Sequence, residues 1–192
     1  TLVKSSAASD VYKRQARESI RKDQNFHDGD YLEHNVIPKS GLKTARMLGH
    51  ITYLSEELMD SRFGRRFQDE DSKVDQEVDF EVENYLQYKG EKFSESFDAN
   101  SYILMTKAMD GYVAGQDIGL RDAMKNVKSQ LLIVGFYSDW LYPPERGKEI
   151  QMAAMDNNIN SSYIVLEGAH GHDSFLFSSE EYSKVISKFI ES

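Results

Sequence analysis

Gln130-Leu131-Leu132-Ile133-Val134-Gly135-Phe136-Tyr137 is the stretch on which the fold turns. An unbroken apolar run of this length matches a strand buried on both faces of a parallel sheet; a half-wet antiparallel strand would alternate in polarity. Downstream, the run ends in Ser138-Asp139-Trp140-Leu141-Tyr142-Pro143-Pro144, and Glu145 to Asn157 reads as an amphipathic helix. Ser162-Tyr163-Ile164-Val165-Leu166 is a second β-type run, closed by a Glu167-Gly168 turn. Strand, helix, strand is a βαβ unit, whose crossover is right-handed. Ala169-His170-Gly171-His172-Asp173-Ser174-Phe175-Leu176 follows as a loop, and Glu180 to Ile190 as a last helix with Ser178 or Ser179 as its N-cap. The fold class is α/β.

Loops beyond strand C-termini carry the working groups of parallel α/β sheets. Asp139 lies just past the first strand and His172 just past the second. Adjacent parallel strands are about 4.8 Å apart, so the two loops can meet. Histidine titrates nearest neutrality and serves as general acid or base. A lone loop histidine is more often structural. A carboxylate placed to orient it makes the acid–base half of a Ser-His-Asp triad. The order Asp then His suits an α/β-hydrolase, in which the serine comes earlier, in a G-x-S-x-G elbow. No G-x-S-x-G occurs in this sequence.

Upstream the pattern is helical. Ala16 to Arg21 reads as a short helix and Asp28-Gly29-Asp30 as a turn. Leu42 to Leu58 reads as one helix, with Leu42, Ala45, Leu48, Ile51 and Leu58 near helical spacing. Arg46 and Tyr53 are two turns apart on it and share a face; an ordinary surface arginine and a packed tyrosine would look the same. Asp60 to Arg66 closes the helix with a basic, aromatic turn. Asp69 to Glu83 is acidic and reads as a solvated loop, without the ligand spacing of a Ca²⁺ loop. Phe80 to Leu86 starts a helix that Gly90 ends, and Phe93 to Phe97, Asn100 to Asp110 and Leu120 to Val127 are three more. The expected segments are 16–127, all helical, and 128–192, the α/β part. Residues 1–15 show no clear period. They resemble a translated sequencing-adapter remnant of the kind found at the ends of gene fragments assembled from environmental DNA, and are set apart as non-native.

Composition removes several function classes. At 192 residues with 40% apolar content and three prolines, the chain suits one globular domain or part of one. A net charge of -9 argues against nucleic acid and anionic membranes as partners. The absence of cysteine excludes a disulfide framework, a thiolate nucleophile and Cys-ligated metal, and fits a reducing compartment. No apolar run approaches the roughly 20 residues of a membrane helix.

Further stretches carry a resemblance. They are Gly41-Leu42-Lys43-Thr44-Ala45-Arg46-Met47-Leu48-Gly49-His50-Ile51-Thr52-Tyr53, Arg62-Phe63-Gly64-Arg65, Phe80-Glu81-Val82-Glu83-Asn84-Tyr85-Leu86, Lys92-Phe93 and Phe97-Asp98-Ala99-Asn100-Ser101-Tyr102. With Ser138 to Pro144 and Gly171 to Leu176, in this order from Ala16 onward, they resemble the C-terminal half of the homoserine O-acetyltransferases, α/β-hydrolase-fold acyltransferases of methionine biosynthesis. The resemblance implies that 16–127 is a helical lid and 128–192 the last two parallel strands of the core with their helices. It implies Asp139 as triad acid and His172 as general base of a ping-pong transfer from acetyl-CoA to L-homoserine, with the serine and oxyanion hole upstream. Arg46 would pair with the homoserine carboxylate, Tyr53 would hydrogen-bond there, and Asp173 would hold the ammonium. No cofactor or metal, a cytoplasmic location and a homodimer through the lid helices are implied as well. A homoserine or serine O-succinyltransferase, and a serine hydrolase of the same fold, remain as alternatives. A non-catalytic helical interaction module fits poorly with the paired Asp139 and His172.

Overall fold

The computed structural model describes residues 7–68, 80–177 and 179–192. The elements are α1 (Ala7–Arg21), a 3₁₀ turn (His27–Gly29), α2 (Lys39–Tyr53), α3 (Glu56–Arg62), α4 (Glu81–Ser96), α5 (Ala99–Gly111), α6 (Leu120–Ala123), β1 (Leu131–Phe136), α7 (Pro144–Asp156), β2 (Ser161–Leu166), a 3₁₀ turn (Gly171–Leu176) and α8 (Glu180–Ile190). They group into a helical unit, residues 7–52 with 56–110, and an α/β unit that joins 53–55 to 111–192.

The helical unit is built around Ala16, Ile20, Leu42, Ala45, Ala99 and Ile103. Its first helix starts at Ala7, nine residues before the expected start at Ala16. Tyr12, Ala16 and Ile20 recur every four residues and are all buried, which is the helical stripe overlooked in the sequence. Lys13 and Arg17, on the same helix, both reach Asp110, each at 2.6 Å. Burial pushes the Asp110 carboxyl up, but the hydrogen bonds and charges of these two cations outweigh it and hold it below the usual carboxylate range.

Glycine sets the close approaches. A Cβ on Gly41 would lie 2.6 Å from Ile20 Cα and 2.7 Å from the Ser19 carbonyl, so only glycine lets α2 cross α1 here. Gly90 does not end a helix as its composition suggested. It sits inside the continuous α4, where a Cβ would lie 2.6 Å from Lys43 Cγ and 2.9 Å from the Lys43 carbonyl. Helix contact, not termination, explains that glycine. The Phe93 to Phe97 segment is therefore the end of α4 rather than a separate helix. An isolated antiparallel bridge joins Phe67 to Phe80. The acidic loop it flanks, 69–79, lies outside the described residues, as does Ser178.

In the α/β unit, β1 and β2 pair in parallel, in register from Leu131↔Ser161 to Phe136↔Leu166. The strand, helix, strand order is as read from the sequence. The burial is not: Leu131 to Gly135 are half-buried and only Phe136 is fully so. Among the described residues the sheet has two strands, so β1 has one hydrogen-bonded neighbour. α7 starts at Pro144 and lies close against both strands: a Cβ on Gly147 would meet the Tyr163 ring at 2.7 Å and Ile133 Cγ2 at 3.2 Å. Met124, Ala153 and Ala154 form the buried centre beneath it. α6 is shorter than expected, ending at Ala123 rather than running to Val127. Ser179 caps α8, accepting from the Tyr182 amide at 3.1 Å.

Candidate active site

The site is assembled at the C-terminal ends of β1 and β2. β1 delivers Phe136, and the chain turns at once. Asp139 Oδ1 accepts the amides of Leu141 and Tyr142 at 3.0 and 2.8 Å. This Asx-type turn fixes the carboxylate, which is only 6% exposed. Its other oxygen, Oδ2, lies 2.9 Å from His172 Nδ1. A carboxylate can only accept, so Nδ1 carries the proton and Nε2 presents its lone pair. That is the tautomer a general base needs.

His172 is held on the 3₁₀ turn Gly171–Leu176 by three serines. Ser138 Oγ donates to the Gly168 carbonyl and accepts the Gly171 amide at 3.1 Å, tying the loop after β1 to the loop after β2. Ser174 Oγ accepts the His170 amide at 3.2 Å. Ser55 Oγ donates to the Ala169 carbonyl at 2.5 Å. Gly171 has φ +63°, and a Cβ there would meet the Tyr53 carbonyl at 2.6 Å and the Ser55 amide at 2.7 Å. Both conditions require glycine.

The contact with Ser55 also explains a helix that the sequence misjudged. Leu42 to Leu58 is not one helix: α2 stops at Tyr53 and α3 starts at Glu56. Leu54 and Ser55 leave the helical path, and the backbone from Tyr53 to Ser55 meets Ala169 and Gly171. Long-range bonding of Ser55 overrides the local helical pattern here.

Three aromatic rings surround the imidazole. Ring centres of Tyr142, Phe175 and Tyr53 lie 4.9, 5.5 and 5.9 Å from that of His172. Two of the acceptor residues expected from the sequence thus flank the dyad, Tyr53 by its ring and Asp173 as the neighbour of His172 in the chain. Arg46 sits on α2 in the helical unit, its guanidinium 5.4 Å from the ring centre of Phe93. Ser138, Ser174, Ser55 and Tyr142 were not singled out by sequence reasoning. Serine carries no periodic signal, and only the folded loops reveal what it ties together. Gly171 between two histidines was the visible hint. Among the described residues, no group of three His, Cys, Asp or Glu side chains could hold a metal ion. No helix among them is long and apolar enough to cross a membrane.

Comparison with known proteins finds both relatives and solved structures of similar fold. No family model matches the chain. Homoserine O-succinyltransferase of Janthinobacterium sp. (strain Marseille) is 42% identical over 178 residues, 92% of this chain and 46% of that protein. Homoserine O-succinyltransferase of Acinetobacter baumannii is 45% identical over 189 residues, 97% of this chain and 49% of its own. The chain therefore spans about half the length of the curated relatives it matches. Among solved structures, homoserine O-acetyltransferase from Bacillus anthracis superposes with TM-score 0.82 at 21% identity, over 96% of this chain and 50% of that one. Esterase E22 superposes with TM-score 0.83 at 20% identity, over 97% and 51%. The fold is that of an α/β-hydrolase, of which this chain makes up about half.

Proposed function

The chain belongs to the homoserine O-acyltransferase family, and on that premise we propose that Asp139 and His172 are the acid and base of a Ser-His-Asp centre that moves an acyl group from a coenzyme A thioester to the hydroxyl of L-homoserine. The observation that carries this reading is the 2.9 Å contact between Asp139 Oδ2 and His172 Nδ1, with Nε2 left to work. The nucleophilic serine would come from outside these 192 residues. Its hydroxyl attacks the thioester carbonyl while His172 Nε2 takes the proton, and the departing thiolate receives it. The homoserine hydroxyl then attacks the acyl-serine, Nε2 takes its proton, and the serine oxygen leaves with that proton. Asp139 holds the ring and stabilises the imidazolium in each step.

For the acceptor, we assign Arg46 to the carboxylate, for which its planar fork is suited. Tyr53 supplies a hydrogen bond and Asp173 pairs with the ammonium. An amino acid needs both charged partners, whereas an ester needs neither, and this favours transfer over hydrolysis. For the donor, acetyl-CoA is what the resemblance implied. Relatives at 42 and 45% identity are homoserine O-succinyltransferases, and they favour succinyl-CoA. The test is a protein rebuilt by fusing this chain to the complementary half of the Janthinobacterium relative. Succinyl transfer to homoserine should exceed acetyl transfer and outrun hydrolysis of either thioester. Net hydrolysis with no homoserine dependence would refute the assignment.

A further inference from the structure

The basic, aromatic turn Arg62-Phe63-Gly64-Arg65-Arg66 plays no part in that chemistry. In a chain of net charge -9, a gathering of cations calls for a reason. Arg66 is neutralised by Glu81, Nε to Oε2 2.8 Å. Arg62 and Lys89 have no ion-pair partner among the described residues, although Lys43 on α2 and Lys92 on α4 do.

Both converge on one ring. The guanidinium carbon of Arg62 lies 5.1 Å from the centre of Tyr85 and 5.3 Å from that of Phe63. Lys89 Nζ lies 5.5 Å from the centre of Tyr85. The Tyr85 hydroxyl meets Nε2 of the buried His50 at 3.2 Å, and His50 Nδ1 has no hydrogen-bond partner among the described residues. Stacking on aromatic faces holds the two cations in position while their N–H groups stay available. Their field reaches His50, whose pKa is pushed down to about 4 by burial first, then by Arg46, Lys89 and Arg62. Each is a positive charge without an ion-pair partner among the described residues, and a bound anion would offset it. A guanidinium fork beside a point-charge ammonium suits a phosphate dianion better than a zwitterionic amino acid.

We propose that Arg62 and Lys89, held on the face of Tyr85, bind the phosphate groups of the nucleotide part of a coenzyme A-type acyl donor. The identity of that ligand rests on the acyl-transfer reading; the anion site itself rests on the geometry. Isothermal titration of the 192-residue chain tests it, with coenzyme A, pantetheine and inorganic pyrophosphate as probes. Coenzyme A and pyrophosphate should bind, pantetheine should not, and binding should weaken as salt rises. Arg62→Gln and Lys89→Gln should each weaken coenzyme A about tenfold, the loss expected for one charge-assisted hydrogen bond. NMR of His50 supplies a second readout: a bound anion offsets the nearby cations, so its pKa should rise on adding coenzyme A. Arg62 is exposed and Lys89 half-buried, and circular dichroism checks that the variants fold. Coenzyme A binding equally well to the double variant, or no tighter than pantetheine, or leaving His50 unmoved, would overturn the proposal. Pyrophosphate binding without coenzyme A binding would overturn the donor assignment. Failure of the acyl-transfer reading shows separately, in turnover by the rebuilt enzyme.

Discussion

At the scale of single residues, the account rests on side chains that hold one imidazole still and one that would hold the acceptor. Ser138 ties the Asp139 loop to the His172 loop through Gly168 and Gly171. Ser138→Ala removes both bonds and leaves the Gly171 amide unpaired, a loss of about 1–3 kcal/mol. The measurable consequence is weakening of the low-field NMR signal of the His172 Nδ1 proton, with Ser138→Thr retaining it. An unchanged signal in Ser138→Ala would remove Ser138 from the site. Arg46 makes a different prediction. In the rebuilt enzyme Arg46→Lys should raise the KM for homoserine about ten- to a hundred-fold, because a point charge replaces a fork. Acyl-enzyme formation should be nearly unaffected, since the donor reacts first. Equal slowing of both half-reactions in single-turnover assays would mean that Arg46 supports the fold rather than the acceptor. Asp139 and His172 were legible from the sequence because chemistry-bearing residue types stood just after apolar runs. The serines were not, because their role consists of bonds between loops far apart in the chain.

At the scale of elements, close helix contacts depend on glycines whose role composition alone disguises. Gly41→Ala would place a methyl 2.6 Å from Ile20 Cα and 2.7 Å from the Ser19 carbonyl, both backbone. Overpacking of this kind costs about 1–3 kcal/mol. It should outweigh the roughly 1 kcal/mol that alanine gains over glycine in a helix. Chemical denaturation should show a lower midpoint, and a gain in stability would contradict the close crossing of α1 and α2. Periodicity found α2, α4, α5, α7 and α8; it bounded α8 correctly and α5 and α7 to within a residue, but misplaced the ends of α2 and α4. Gly90 reads as a helix stop only if its neighbour Lys43 is unknown, and the break after Tyr53 follows from Ser55 bonding to Ala169, 114 residues away. Both are tertiary effects that override local preference. The helical character of residues 7–15 was legible in the spacing of Tyr12, Ala16 and Ile20, but their aperiodic surroundings concealed it.

At the scale of the whole molecule, acid stability follows from a buried histidine and a half-buried aspartate. His50 has its pKa depressed to about 4 from an ordinary 6.5, so the unfolded chain binds its proton more readily. Stability should therefore fall as pH drops from about 6.5 toward 4. Asp110, held below its ordinary 3.8 by Lys13 and Arg17, contributes stability above that value and loses it as pH falls further. Thermal melts of the chain should lose stability in the first window, and His50→Gln should flatten that loss. A melting temperature independent of pH between 6.5 and 4 would contradict the burial of a neutral His50. The α/β class was legible in two apolar runs flanking a helix. The half-buried state of β1 was not, because burial depends on how many strands surround it, and a run of residues does not count its neighbours.

The central claim is that one histidine, aligned by Asp139, serves both halves of an acyl transfer. The most direct measurement is single-turnover kinetics of the rebuilt enzyme, following acyl-enzyme formation from succinyl-CoA and its discharge to homoserine separately. His172→Ala should slow both steps by about 10²–10⁴-fold, the usual contribution of a positioned general base. Asp139→Asn should slow both as well, with His172 left in the wrong tautomer. Acyl-enzyme formation at the unmodified rate in His172→Ala would contradict the claim.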